Sequence, residues 1–385
     1  MMHLPPDNFP GRLALQQRTL PAYRAPFFDA LAQRCTGGLS VFAGQPQAGE
    51  QIASVDRLQV AQFIEAQNRH LFQVSSPFYQ CWQPGIVAWL EAWQPQALIV
   101  EANPRYRNTP EAVRWMHSRG LPVLGWGLGA PLLHGPLAGW RRRARQKFLG
   151  MLDGMIAYSQ RGAEEYRALG FPAERVLVAP NAAAPRPISP PAARPPTFAD
   201  RPVVLFVGRL QARKRLDNLL YACAALPIEL QPHLQIVGDG PARSEVEALA
   251  QSVYPRAEFT GARYGVELEA TFAAADLFVL PGTGGLAVQQ AMSFGLPVVV
   301  AEGDGTQDDL VRPENGWRIP ANNLQALKVA LQEALADAAR LRAMGAESYR
   351  IVDEEANLEG MVRVFIEALV GIRAQVKSGN SQRSG

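Results

Sequence analysis

The chain has few cysteines and no long apolar run. Its three cysteines, Cys35, Cys81 and Cys223, lie far apart and form neither a CxxC pair nor a metal-ligand spacing, which favours a reducing compartment. No apolar run approaches the roughly 18 residues that a membrane-spanning helix requires. The first residues, MMHLPPDNFPG, lack the charged start and apolar core of a signal peptide. We therefore expect a soluble, cytoplasmic protein.

Neither basic nor acidic residues are in strong excess. The 38 basic and 35 acidic side chains leave a formal net charge of +3, so the composition argues against a general nucleic-acid-binding protein. The 385 residues, 48% of them apolar, are enough for roughly two domains, each with its own core.

Motifs of several enzyme classes are absent. No GxxxxGK[ST], HExxH or GxSxG occurs, the five histidines are scattered, and no DxD lies near the glycines of residues 282–285. Gly238-Asp239-Gly240 follows a predicted strand, but the third glycine of a GxGxxG dinucleotide motif is missing there. ATP hydrolysis on a P-loop, hydride transfer, nucleophilic-serine chemistry and metal-assisted chemistry are therefore disfavoured.

Short apolar segments alternate with amphipathic ones in both halves of the chain. Strands are predicted around residues 12–16, 38–44, 97–105, 121–129, 155–158, 176–181, 203–207, 234–238, 257–261, 277–280 and 298–301. Such alternation favours parallel sheets covered by helices on both faces. The prolines of residues 185–202 exclude a helix or an interior strand and indicate a linker.

These patterns predict an α/β fold of two Rossmann-like, doubly wound domains that face each other across a cleft. The expected domains are residues 1–184 and 203–357, joined by the linker 185–202, with a last helix of about residues 358–376. Ligands of such sheets gather at the carboxyl ends of the strands, so the cleft is the default site.

A glycine-rich loop follows the strand Leu277–Leu280. It contains Gly282, Gly284 and Gly285, and a predicted helix begins at Leu286. The free backbone N–H groups and the aligned peptide dipoles of a helix start suit a phosphate. The alternative is that these glycines only permit a tight turn.

Two cations follow the first strand of the C-terminal half. Arg209 and Lys214 both lie just beyond its carboxyl end, on the same expected edge as the loop before Leu286. Two fixed positive charges and a helix start can neutralise a diphosphate without a metal ion. The alternative for Lys214, one of three adjacent cations, is a solvated surface turn.

Residues 140–148 form a basic segment, WRRRARQKF. Its five cations are Arg141, Arg142, Arg143, Arg145 and Lys147, bordered by Trp140 and by Phe148-Leu149. A basic helix with aromatic borders is a candidate for peripheral contact with an anionic bilayer, at the inner face of the membrane. The alternative is a solvated helix face.

The C-terminal half resembles the nucleotide-sugar domain of family 4 glycosyltransferases. The similar segments are FVGRLQARK (206–214), VGDGP (237–241), FTG (259–261), ADLFVLPGTGGLAVQQAMSFGLPVV (275–299) and DGTQDDLVRPENGW (304–317), with AYSQRGAEEYRALGFPAERVLVAPNA (157–182) upstream. The resemblance implies the GT-B fold, with the last helix crossing back to the N-terminal domain. It also implies a nucleoside-diphosphate sugar donor, a glycan or lipid-linked acceptor, retention of the anomeric configuration and no metal cofactor.

The resemblance also implies roles for individual residues. Arg209 and Lys214 would bind the diphosphate as catalytic groups. The donor-binding residues would be Gly208, Gly238, Gly261, Gly282, Thr283, Gly284, Gly285, Leu286 and Gln290. Candidates for the acceptor or sugar side are Glu101 and Asn103, which the end of the predicted strand 97–105 would point into a loop, together with Trp126 and His134. The alternative for His134 is an incidental histidine in a loop.

The chain departs from the family pattern at three positions. Two glutamates eight positions apart are usual in the signature segment, and here Gly282 and Gln290 replace them. Leu128 stands where related enzymes often have a histidine near the transferred sugar. A glycosyltransferase of surface polysaccharide or glycoconjugate synthesis, a catalytically degenerate nucleotide-sugar-binding subunit and a nucleotide-sugar epimerase therefore all remain open.

Overall fold

The chain forms two compact units in a computed structural model. The structure describes residues 7–47, 50, 52–198, 200–284, 286–303 and 305–383, with side chains to residue 376. The first unit comprises Met1–Ala183 and Leu358–Gly385, and the second comprises Ala184–Asn357. Among these described residues, every helix is too short or too polar to cross a bilayer.

The first unit is built on a seven-stranded parallel sheet. Its strands and a separate hairpin are β1 (Leu13–Thr19), β2 (Leu39–Gly44), β3 (Gln62–Ala66), β4 (Arg69–Leu71), β5 (Gln80–Trp82), β6 (Ala97–Glu101), β7 (Val123–Gly127), β8 (Gly154–Ala157) and β9 (Val176–Val178). The helices are α1 (Ala25–Gln33), α2 (Ile86–Trp93), α3 (Thr109–His117), α4 (Ala138–Leu149) and α5 (Gln160–Ala168), with 3-10 turns at Ala22–Arg24 and Ala173–Arg175. The sheet order is β3-β2-β1-β6-β7-β8-β9, and β4 pairs with β5 in an antiparallel hairpin.

Both faces of this sheet are buried. Along β1, Leu13 and Leu15 belong to one apolar core, which also includes side chains of α1. Ala14 points to the other core, which contains Phe148 and Leu149 at the end of α4. This alternation follows from the two-residue period of a strand, and it places α1 and α4 on opposite faces.

The second unit is built on a six-stranded parallel sheet. Its strands are β10 (Val203–Val207), β11 (His233–Val237), β12 (Ala257–Gly261), β13 (Leu277–Leu280), β14 (Val298–Ala301) and β15 (Gly316–Ile319), in the order β12-β11-β10-β13-β14-β15. Its helices are α6 (Leu216–Ala224), α7 (Arg243–Val253), α8 (Gly265–Ala274), α9 (Leu286–Ser293), α10 (Leu324–Ala336) and α11 (Ala338–Glu354), with a 3-10 turn at Ala212–Lys214. Strands β13 and β14 are buried at every residue, as expected for a sheet covered on both faces.

The last helix, α12 (Leu358–Arg383), belongs to the first unit. The ring of Phe365 lies 4.8 Å from that of Phe27 and 5.0 Å from that of Trp126, between centroids. The helix continues beyond residue 376, where the sequence pattern predicted its end.

The proline-rich segment before β10 contains neither a helix nor a strand among its described residues. Arg194 fixes it to the second unit by donating hydrogen bonds to backbone carbonyls. The acceptors are Phe272, Ala273, Ala275, Phe294 and Gly295. This segment is therefore bound to the surface of the second unit.

The predicted fold class is confirmed, since both sheets are parallel and doubly wound. The strand at 298–301 and the helix start at Leu286 lie where the sequence placed them. The hairpin of β4 and β5 and the edge strand β3 were not predicted.

Candidate functional site

The predicted donor residues gather at one place in the second unit. Strands β10 and β13 are hydrogen-bonded neighbours there, although the chain order reverses between them. A doubly wound sheet opens a crevice at such a reversal, at the carboxyl ends of its strands. Gly208 and Arg209 follow β10, and Gly282 follows β13, so the structure brings these separate motifs together. We refer to the position as the second-unit switch point.

Glycines let the loops at this edge approach each other closely. A side-chain carbon at Gly238 would lie 1.9 Å from the carbonyl oxygen of Gly208, and the φ of Gly238 is +141°. The backbone N–H of Gly238 donates to the carbonyl of Gly261 at 2.8 Å. Only glycine fits position 238, because a methyl group would push the loop after β11 away from the loop after β10.

Lys214 is a buried cation in the 3-10 turn after β10. Its side chain is only 8% exposed, and its backbone N–H donates to the carbonyl of Gln211 at 2.9 Å. The ammonium lies beside the glycine-rich loop, since a side-chain carbon at Gly284 would be 2.8 Å from Nζ. Such close burial excludes the solvated-turn interpretation of Lys214.

The loop after β13 is held against the turn that contains Lys214. Thr283 donates its N–H to the carbonyl of Arg213 at 3.1 Å, and Arg213 Nη1 lies 3.3 Å from Thr283 Oγ1. A side-chain carbon at Gly282 would be 2.2 Å from the carbonyl oxygen of Arg213. This position therefore has no room for the glutamate that the family pattern would place there. Gly285 lies outside the described residues.

Helix α9 begins at this loop. Leu286 is its first residue, and Gln290, one turn later, is partly exposed. The neighbouring Gln289 is 1% exposed and donates to the carbonyl of Ala356 at 2.6 Å, while its Oε1 accepts from the N–H of Ala184 at 3.3 Å. Gln289 therefore fixes α9 to both ends of the second unit, and Gln290 is the amide that faces outward.

A cavity of about 190 Å³ adjoins the switch point. Its lining includes the side chains of Arg213, Arg215 and Glu302. Arg215 has a left-handed φ of +54° and holds Asp217 through two hydrogen bonds of 3.0 and 2.9 Å. The guanidinium of Arg213 lies beside Gly284, with Nη1 at 3.3 Å from a side-chain carbon built there. Arg209 is partly exposed directly after Gly208.

The first unit has its own switch point, between β1 and β6. Glu101, at the end of β6, accepts hydrogen bonds from the N–H of Arg18 at 2.8 Å and from the hydroxyl of Tyr106 at 3.0 Å. Burial raises the pKa of Glu101. The hydrogen bond from the backbone N–H of Arg18 and the positive charge of Arg18 lower it. The predicted candidate Glu101 is thus a carboxyl group engaged within its own unit.

Arg18 and Glu50 form a buried pair at the same edge. Their two hydrogen bonds measure 2.7 and 2.6 Å, and the side chains are 11% and 14% exposed. Burial raises the pKa of Glu50, but the hydrogen bonds from Arg18 and from the N–H of Gln47 outweigh it and bring the pKa below its usual value. Nearby, His70 Nδ1 lies 2.9 Å from the hydroxyl of Tyr79, and burial lowers the pKa of His70.

The other acceptor candidates have different surroundings. Asn103 shapes the turn after β6, where its Oδ1 accepts from the N–H of Arg105 at 3.1 Å. His134 is exposed in a loop. Trp126 is fully buried in the core, 4.9 Å from the Arg24 guanidinium and packed on Phe365. The prediction that Trp126 faces an acceptor is wrong. Side chains alternate between the two faces of β7, and this alternation turns the Trp126 ring towards α12.

Sequence reasoning missed Arg18, Glu50 and Tyr106. Their side chains come together from three separate segments of the chain, without a local motif that would signal them. Among the described residues, no three His, Cys, Asp or Glu side chains are grouped as metal ligands would be.

Comparison with known proteins finds a family model that matches most of the second unit. The model of "Glycosyl transferases group 1" matches residues 192–351. A GDP-mannose-dependent alpha-mannosyltransferase of Mycobacterium tuberculosis (strain CDC 1551 / Oshkosh) is 38% identical over 128 residues, which is 32% of either chain. The chain thus covers about a third of that relative's length.

Solved structures of similar shape cover nearly the whole chain. The lipopolysaccharide outer core galactosyltransferase WaaB, in its apo form, has a TM-score of 0.66 at 14% identity and covers 94% of this chain and 99% of its own. Anabaena Alr3699/HepE in complex with UDP has a TM-score of 0.62 at 17% identity and covers 96% and 99%. At these identities the likeness shows the fold. The chain therefore has the GT-B fold, and its residues 192–351 are similar to the group 1 glycosyltransferases.

Proposed function

We propose that the protein is a retaining glycosyltransferase that moves a sugar from a nucleoside-diphosphate sugar to a glycan or lipid-linked acceptor. The observation that carries the proposal is the burial of Lys214 beside the glycine-rich loop of the second-unit switch point. A buried ammonium beside a glycine-rich loop at the start of a helix favours an anionic ligand.

The proposed anion is the diphosphate of the donor. Lys214 and Arg209 would supply two positive charges, and the N–H groups at the start of α9 would add hydrogen bonds to the phosphate oxygens. Arg213, whose Nη1 would be 3.3 Å from a side-chain carbon at Gly284, would add to this positive charge. Because these groups are fixed before the donor binds, they stabilise the charge that develops as the diphosphate departs. No metal ion is needed in this scheme.

In the proposed reaction the bond between the anomeric carbon and the diphosphate oxygen breaks. A hydroxyl oxygen of the acceptor bonds to the anomeric carbon on the same face of the sugar, so the configuration is retained. The proton of that hydroxyl passes to the departing phosphate oxygen, so the step needs no separate base. Gln290 can donate to or accept from a hydroxyl of the donor through its amide.

A second function is supported by a specific observation. Gly282 has no room for a side chain, and Gln290 and Leu128 replace residue types that are usual in the family. A nucleotide-sugar-binding subunit without transferase activity would tolerate these losses. This alternative requires donor binding without turnover.

The direct test is a screen of nucleotide sugars with glycan and lipid-linked acceptors, in the presence of a metal chelator. We expect release of a nucleoside diphosphate that depends on the acceptor, and product analysis should show the retained anomeric configuration. Lys214→Ala should lower turnover at least about tenfold, because one preorganised charge at the leaving group is lost.

Lys328→Ala is the matched control, because Lys328 is another lysine of the second unit and lies on α10. It should leave turnover unchanged. Equal turnover of the Lys214→Ala variant and the wild type would remove the diphosphate assignment. Saturable donor binding without transfer to any acceptor would favour the binding subunit, and sugar isomerisation without acceptor would favour an epimerase.

A further inference from the structure

The hairpin of β4 and β5 presents large apolar side chains to solvent. Leu71, Phe72 and Phe78 are 59%, 65% and 66% exposed, and the two phenylalanine rings lie 6.3 Å apart between centroids. Phe72 has a φ of +65°, a left-handed conformation that an aromatic residue rarely adopts. Neighbouring exposed rings on a strained loop indicate a surface that meets a partner.

Helix α4 lies beside this hairpin. Arg141 Nη2 is 3.4 Å from the carbonyl oxygen of Pro77, in the loop between β4 and β5. The segment 131–152 contains no acidic residue, and the five cations of α4 follow one another within seven positions. Charges of one sign therefore border the exposed rings.

Apolar side chains continue along the segment that leads into α4. Leu132, Leu137 and Trp140 are 78%, 60% and 70% exposed. Phe148 and Leu149, by contrast, are buried in the core. Of the apolar residues that border the basic segment, Trp140 is therefore the one that faces solvent. The sequence-based view that both borders are available is corrected here.

Further cations surround the same hairpin. Arg107 Nε donates to Gln80 Oε1 at 2.6 Å, and the Arg69 guanidinium lies 5.2 Å from the centre of the Trp82 ring. Burial lowers the pKa of Arg145; the nearby Tyr166 and Glu165 raise it, and the positive charges of Arg105 and Arg141 lower it by smaller amounts. We call the hairpin loop 71–78 and the exposed part of residues 132–147 the basic-aromatic face.

We propose that the basic-aromatic face docks the first unit on an anionic lipid bilayer. Aromatic and aliphatic side chains at the loop would enter the interfacial region, and the cations of α4 would lie against anionic headgroups. Leu71, Leu132 and Leu137 favour a bilayer over a nucleic acid, because aliphatic side chains gain little from contact with phosphates or bases. The inference does not depend on the proposed donor site, which lies in the second unit.

The test is sedimentation of the full chain with phosphatidylcholine vesicles, either pure or containing about one third phosphatidylglycerol. Binding should require the anionic lipid and weaken with salt. Arg142→Glu with Arg143→Glu should lower vesicle affinity at least about tenfold, since each cation near such a surface contributes roughly fivefold. Phe72→Ser with Phe78→Ser should lower it about threefold or more, at high salt as well.

The matched control is Arg34→Glu with Arg363→Glu. Both arginines are exposed in the first unit, at the end of α1 and on α12, whose core lies on the opposite face of the sheet from α4. The net charge changes by the same amount, and vesicle affinity should stay within about twofold of the wild type.

Three results would overturn the proposal. The wild type could stay in solution with anionic vesicles, or the control pair could lose as much affinity as the α4 pair. The third is binding to heparin or RNA as tight as to vesicles, with no effect of the phenylalanine substitutions, which would indicate a polyanion site. Donor binding measured on the same variants should be unchanged, so failure here is distinct from failure of the proposed transferase.

Discussion

The two parallel sheets use their switch points differently. In the first unit, ionisable side chains occupy the edge between β1 and β6 and satisfy one another, as Arg18 does with Glu50. In the second unit, glycines let the loops after β10, β11 and β13 approach one another, and Lys214 is buried beside the glycine-rich loop. The charged groups of the first unit's switch point are thus paired with one another. The second unit's switch point has cationic and N–H groups suited to an outside anion.

The largest effect is expected from Gly238→Ala. The new methyl group would meet the Gly208 carbonyl at 1.9 Å on a backbone with φ of +141°. We expect the free energy of unfolding to fall by about 3 kcal/mol, together with loss of nucleoside diphosphate binding. Chemical denaturation and titration calorimetry measure the two effects.

Gly371→Ala is the control for this substitution. A side-chain carbon at Gly371 of α12 would touch nothing within 4 Å, so alanine there should leave stability equal or up to about 1 kcal/mol higher. A stable Gly238→Ala variant that binds normally would mean that the loops after β10 and β11 are not held together.

Gly282→Glu restores the residue type that is usual in the family. Its Cβ would lie 2.2 Å from the Arg213 carbonyl oxygen and 2.6 Å from the Lys214 carbonyl carbon, both backbone atoms. We expect a loss of about 2 kcal/mol in stability and at least about tenfold weaker diphosphate binding, because the turn that carries Lys214 must move. Tighter donor binding by this variant would contradict the described loop.

Glu50→Ala tests the paired charges of the first unit's switch point. Removing the carboxylate leaves the buried Arg18 guanidinium without this partner, which should cost about 2 kcal/mol of stability. Glu354→Ala, whose partner Arg350 is exposed, should change stability by less than about 0.5 kcal/mol. Neither change should affect diphosphate affinity. A large fall in that affinity with Glu50→Ala would contradict the claim that only the second unit binds the diphosphate.

The smallest effect concerns pH. Burial holds the pKa of His70 below 6.5 in the folded chain, so neutral His70 is favoured by folding. Its contribution to stability is present above pH 6.5 and is lost as the pH falls below 6.5 towards the folded pKa. Proton NMR titration should show His70 protonating at lower pH than His117, whose pKa is raised by its hydrogen bond with Asp153. The reverse order would exclude burial of His70.

The sequence predicted the second switch point better than the first, for a physical reason. The residues of the second lie in short motifs that each follow a strand, such as Gly208 to Lys214, and parallel strands bring their carboxyl ends to one edge. Glu101 was recognised in the first unit by the same rule. Arg18 and Glu50 were missed, because they pair from separate segments of the chain without a local motif.

Two further errors have local causes. Trp126 was assigned to the acceptor side through the family resemblance of its segment, but the alternation of side chains along β7 turns its ring into the core. The hairpin of β4 and β5 was not predicted, because strands of three residues are too short to show a period. The exposed rings of the basic-aromatic face were therefore visible only in the structure.

The central claim is that the second-unit switch point binds a diphosphate through Lys214. The most direct measurement is calorimetric titration of the full chain with UDP and GDP, each against its nucleoside, for the wild type, Lys214→Ala and Lys328→Ala. We expect the diphosphate to bind more tightly than the nucleoside, and Lys214→Ala alone to lower that preference at least about tenfold. An unchanged preference in the Lys214→Ala variant would contradict the claim.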